Sequence, residues 1–193
     1  MGQYYHIIIK TPDNKINYNN RKVKGEGYIM AKLMEHSYKA NYLMKSVANV
    51  LSNGKCRLIW CGDYAEPEEI RMVSKHKASY KKAWLYVGNK SQETHDNTIL
   101  TNKKFDFHHK FFVNHTKKIY VSFDDYKKNE YGWSICPISL LTAIGNGRGG
   151  GDYHGLNDDK VGSWAWDVIS VCNKRSDFPK DYKLVKIQFK EEY

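Results

Sequence analysis

The sequence predicts an α+β domain built on a mixed or antiparallel sheet, with its helices drawn mainly from the first half of the chain. Three observations lead there. Extended-looking aromatic and β-branched runs outnumber helical ones. The three- and four-residue apolar spacing of helices is confined to the stretch before Val87. Helical and extended segments do not alternate as regular βαβ units would. At 193 residues the chain suits one domain, residues 1–193, with a proper core. No repeat of solenoid period interrupts it.

Tyr4 to Lys10 is a short β-rich run and reads as a strand, ended by the turn residues Thr11-Pro12-Asp13-Asn14. The polar stretch from Asn17 to Gly27 reads as an exposed hairpin. From Ile29 the pattern turns helical: Met30, Leu33 and Met34 share a face, and Tyr42, Leu43, Val47, Val50 and Leu51 continue the stripe up to Gly54, placed for a C-cap. Arg57 to Trp60 is a buried strand that ends at Cys61-Gly62-Asp63-Tyr64. Pro67-Glu68-Glu69 makes a good first helical turn, with acids near the positive end of the dipole. A basic helix-like stretch follows from Ser79 to Val87, then a polar loop from 88 to 104. Phe111 to Val113 and Lys118 to Phe123 form a hairpin around Asn114-His115-Thr116. Trp133 to Ile144 reads as extended, with Pro137 marking an edge or bulge. Trp164 to Val171 alternates as a strand does. Leu184 to Phe189 is a last strand with Val185, Ile187 and Phe189 on one face.

Charge narrows the partners. The net charge is +10, carried mostly by lysine, and favours an anionic partner, with a nucleotide ahead of long nucleic acid. No apolar run approaches the length of a membrane span and no leader pattern opens the chain. Four cysteines lack CxxC spacing and read as reduced buried thiols. The expected setting is the cytoplasm of a bacterial host, with no membrane partner. An oligomer is compatible with all of this.

The strongest site signal is Asn146-Gly147-Arg148-Gly149-Gly150-Gly151-Asp152-Tyr153-His154-Gly155. Ordering so many glycines costs backbone entropy unless the loop needs unusual dihedrals or close approach. Consecutive N–H groups in such a loop can form an anion nest, and Arg148 adds a planar, permanent charge. The loop is neither a Walker A motif nor a GxGxxG fingerprint in its strand–turn–helix setting. Asn146 to Tyr153, with Trp164 as a stacking surface, are the expected ligand contacts; core packing is the other fate open to Trp164 and Trp166.

Other chemistry is thinner. Asp63 ends a buried strand, where it either serves a site or caps the helix near Pro67. Asp152, His154, His36 and Glu35 complete the candidate acid/base set, and Asp63 and Asp152 are expected to face one pocket. His108-His109 with His115 and Asp106 offer metal-ligand types, but adjacent residues on a strand point to opposite faces. No metal site is therefore expected, and the sequence does not identify a cofactor.

Several blocks together resemble a family of uncharacterised bacterial and phage-borne proteins: Met1-Gly2-Gln3-Tyr4-Tyr5, Lys32 to Ser37, Ile59 to Ala65, Asn114 to Lys117, Asn146 to Tyr153 and Gly162 to Ala165. The resemblance implies a prokaryotic or phage source and a site assembled from several blocks, among them Glu35, His36, Asp63, Arg148 and Asp152. The resulting expectation is a phage or mobile-element accessory protein. It would bind a phosphate-bearing ligand, a nucleotide or nucleotide-derived immune signal, through the glycine-rich loop and sequester it against host defence. Two alternatives stand beside it: a nucleotide or nucleic-acid hydrolase working through its Asp, His and Glu groups, and an inhibitor of a host defence protein such as a CRISPR nuclease.

Overall fold

The chain is α+β. Its structure, a computed structural model, describes residues 2–12, 16–18, 31–66 and 104–190. Strands β1 (Tyr5–Lys10), β2 (Ile16–Tyr18), β3 (Cys56–Gly62), β4 (Phe111–Asn114), β5 (Ile119–Ser122), β6 (Ala143–Ile144), β7 (Val168–Cys172) and β8 (Lys183–Leu184) form one sheet ordered β2-β1-β3-β7-β4-β5-β8. Most neighbours are antiparallel. β5 and β8 pair in parallel, as do β3 and β6. The second edge of β3 is shared: its first residues pair with β7 and Trp60 and Cys61 pair with β6.

β1 and β3 are apolar nearly throughout because the sheet is covered on both faces here. Tyr5, Ile7, Ile9, Leu58 and Trp60 point into the main core, while Ile8, Ile59 and Cys61 meet Ile144 and Ala165 on the opposite face. The main core is closed by α2 (Tyr42–Ser52), whose buried stripe includes Leu43, Val47, Val50 and Leu51. Asn41 caps α2 by accepting a hydrogen bond from the Leu43 N–H at 2.8 Å. The helical stretch from Leu33 is broken into α1 (Leu33–His36) and α2. Between them the backbone pairs instead with a distant segment: Cys136 N–H donates to Ser37 O and Lys39 N–H to Ser134 O.

The hairpin from Phe111 to Ser122 forms as expected. Three expectations are corrected. Residues 137–142 are a helix, α3 (Pro137–Thr142), rather than an extended run. Pro137 stands at the start of the helix, where its missing N–H costs nothing. All six residues are buried, so no periodicity marks them as helical. Trp164 and Trp166 lie in a turn before β7. That turn satisfies the end of α3, with Gly162 and Trp164 N–H donating to Leu140 O and Leu141 O. After Leu184 the chain leaves the sheet. Phe189 is still buried, packed on Tyr126 and Tyr153, so the alternation survives without the ladder. The helices expected near Pro67 and from Ser79 to Val87 lie outside the described residues, as does most of the expected hairpin from Asn17 to Gly27.

Candidate functional site: the glycine-dense loop and a basic aromatic cleft

The glycine-dense loop closes on its own acid. Arg148 and Gly149 N–H both donate to Asp152 Oδ2, at 2.8 and 2.9 Å. Asp152 Oδ1 accepts from the Tyr5 hydroxyl at 2.7 Å. Two backbone donors of the anion nest are thus occupied by an internal carboxylate. Burial, followed by the Asp152 hydrogen bond and charge, pushes the Tyr5 phenol up, which keeps it a donor. Asn146 is spent on the loop too: its Nδ2 donates to Tyr153 O and Asp158 Oδ1, and its Oδ1 accepts from Tyr153 N–H.

The loop also anchors the N-terminal strand and α1. Gln3 N–H donates to Gly150 O, and Met34 N–H donates to Gly151 O. Gly149 has no room for a side chain, since a Cβ there would lie 2.6 Å from Gln3 Cβ and 2.8 Å from its backbone nitrogen. Of the expected ligand contacts, Asp152, Tyr153 and Trp164 are buried. Gly147, Arg148 and Gly150 face solvent, and the Arg148 guanidinium donates to Tyr64 O at 3.1 Å.

Asp63 and Asp152 both lie close enough to Tyr5 for their charges to push its phenol up. Asp63 extends the β1–β3 pairing: its N–H donates to Tyr4 O, and its Oδ1 accepts from Tyr4 N–H at 3.2 Å. Glu35 is exposed at the end of α1 and pairs with Lys32 at 2.7 Å. His36 turns back instead, with Nδ1 3.1 Å from Lys32 N. His154 is exposed. The candidate acids and histidines therefore divide between loop architecture and separate surface positions.

A cleft of about 1390 Å³ opens elsewhere, between the α1–α2 turn and the segments around 105–109 and 124–134. Its walls carry Met34, Tyr38, Phe105, Phe107 and Trp133; Tyr38 and Trp133 meet edge to face at 5.1 Å, and Trp133 is 55% exposed. Lys45, Lys127 and Lys128 line it without an ion pair among the described residues. Lys39 plays a different part, bonding Phe123 O and Tyr126 O from a half-buried position. Of the candidate acids only Glu35 reaches this cleft. Sequence reasoning missed Trp133 and the lysine pair because they sit in an irregular segment without a motif; the signal available was an aromatic a few residues after two adjacent lysines.

The cleft also holds His108 and His109, whose expected divergence is corrected. They lie in a turn rather than on a strand, and His109 has φ +55. Their rings stand 3.8 Å apart, and both face Asp124. His115 is separate: Nε2 lies 2.8 Å from Ser170 Oγ and Nδ1 3.3 Å from the Tyr182 hydroxyl. Burial, with a smaller push from Lys55, brings the His115 imidazole down to about 4. Among the described residues no helix is long and apolar enough to cross a membrane. Comparison of the chain with protein-family models, curated proteins and solved structures finds no match.

Proposed function

We propose that this chain binds a phosphate-bearing aromatic ligand, a nucleotide or nucleotide-derived signal, in the basic aromatic cleft, and that it acts by holding that ligand rather than transforming it. The observation that carries the reading is the exposed Trp133 face in one cleft with three lysines, Lys45, Lys127 and Lys128, that have no ion pair among the described residues. An aromatic face offers a base a stacking surface worth about 1–3 kcal/mol, and ammonium groups neutralise phosphate. The volume exceeds that of a typical small-molecule pocket, so a dinucleotide or a cyclic oligonucleotide fits the scale. The glycine-dense loop takes a supporting role, because its nest is filled by Asp152. Binding of such a signal by a phage or mobile-element protein would withhold it from host defence.

Calorimetry with mono- and dinucleotides tests the reading. Trp133→Ala should weaken binding by about 1–3 kcal/mol. A Lys127→Ala/Lys128→Ala variant should weaken it and flatten the salt dependence by about two phosphate contacts. Arg148→Ala should leave affinity unchanged. Loss of binding in Arg148→Ala with native affinity in Trp133→Ala would put the ligand on the loop instead. A salt slope far steeper than a few phosphates would point to long nucleic acid.

A further inference from the structure

We infer that His108, His109 and Asp124 form a site for a divalent first-row metal ion of the zinc class, with open coordination positions facing the cleft. The inference rests on side-chain geometry and holds whether or not a nucleotide binds there. The three residues each offer one ligand atom, and these atoms lie within 4.8 Å of one another. His109 Nδ1 is 2.8 Å from Asp124 Oδ2, and His108 Nδ1 is 3.8 Å from Asp124 Oδ1. Bonds of about 2.0–2.2 Å to one tetrahedral ion would set ligand atoms roughly 3.3–3.6 Å apart. These two separations, each to a different Asp124 oxygen, fall just below and just above that range, and side-chain rotations would bring one atom from each residue onto an ion. The rings have room for them, being 64% and 80% exposed.

The turn is built to hold this arrangement. Asp106 Oδ1 accepts the His108 N–H at 2.9 Å, and Asp124 Oδ1 accepts the His109 N–H at 3.1 Å. The left-handed backbone at His109 brings two neighbouring rings to one side, which an extended backbone would not do. Two imidazoles and one carboxylate suit zinc and its neighbours rather than magnesium or calcium, which prefer all-oxygen shells. Three protein ligands leave at least one position for water or a phosphate oxygen, the arrangement of open rather than structural sites.

The test uses the untagged chain. Co²⁺ is titrated by its visible absorption and Zn²⁺ by calorimetry, with His109→Asn, His108→Ala and Asp124→Asn variants beside the parent. Asparagine tolerates the left-handed conformation at 109. One saturable site per chain is expected, weakened by about tenfold or more in each variant, while His154→Gln binds as the parent does. Absence of saturable Co²⁺ or Zn²⁺ binding overturns the assignment. So does parental affinity in both His108→Ala and His109→Asn, since any bound ion would then sit elsewhere. Circular dichroism of the apo variants separates lost ligands from lost fold.

Discussion

Asp152 shows how one side chain can organise a loop that would otherwise have too many conformations. A carboxylate accepts from both lobes at once, so a single residue satisfies two backbone donors of the loop and the Tyr5 hydroxyl of β1. Charge-assisted bonds of this kind are stronger than neutral ones, and here they form in a buried setting. Asp152→Ala would leave three donors without an acceptor. The Tyr5 hydroxyl is buried, while the two loop N–H groups are part-exposed and can turn to water, so the variant should lose about 1–3 kcal/mol in urea denaturation. Tyr5→Phe removes one donor only and should cost less. In the double variant the two losses should not add, because the Tyr5 hydroxyl no longer needs the acceptor that Asp152→Ala removes. Strict additivity would mean that Tyr5 and Asp152 are held by something other than each other.

The glycine-dense loop carries two different demands for glycine, and they predict different penalties. At Gly149 the demand is space: a Cβ would strike the Gln3 backbone as well as its side chain, so the β1 approach must shift. Gly149→Ala should lower stability by about 1–3 kcal/mol. At Gly147 the demand is conformational, with φ +87 and, among the described residues, nothing within 4 Å of an added Cβ. Gly147→Ala should cost only about 1 kcal/mol. Thermal melts of the two variants rank them, and the reverse order would mean that the loop does not pack on Gln3 as described. The composition of the loop was legible in the sequence; its occupant was not, since nothing in a linear pattern says that Asp152 turns inward onto Tyr5, far away in the chain. Other elements divide similarly. β1, α2, β3 and the Phe111–Ser122 hairpin follow local pattern because each has one well-defined buried stripe or run. α3 escaped because burial on every side erases period, and the Trp164–Trp166 turn escaped because its shape is set by the end of α3. His108 and His109 converge through a left-handed residue that a strand assignment forbids, which hid both the ligand cluster and the cleft around it.

Across the whole molecule, two imidazoles partly or wholly withdrawn from water and the large positive charge act together when pH falls. His6 and His115 are both lowered, chiefly by burial, with Asp63 opposing at His6 and Lys55 adding at His115. A histidine with a lower value folded than unfolded takes up protons more readily in the unfolded chain. Its contribution is complete above the unfolded value of 6.5 and is lost as pH falls toward about 4 at His115. Because His115 is only half-buried, we expect a loss of about 1–2 kcal/mol rather than the full equivalent of its shift. Asp124, also lowered, adds a later loss below the ordinary aspartate range, as its stabilising charge is titrated away. Superimposed on both is self-repulsion: a chain already at +10 gains further charge as its carboxylates are protonated. The contributions separate experimentally, because salt screens long-range repulsion but does little to restore a buried imidazole. Urea midpoints measured from pH 7 to pH 4 should fall at both low and moderate ionic strength, with a residual slope that salt does not remove. His115→Gln should flatten that residual slope between pH 6.5 and 4. A parental slope in His115→Gln would assign the acid loss to net charge and to His6, and would remove His115 as its source.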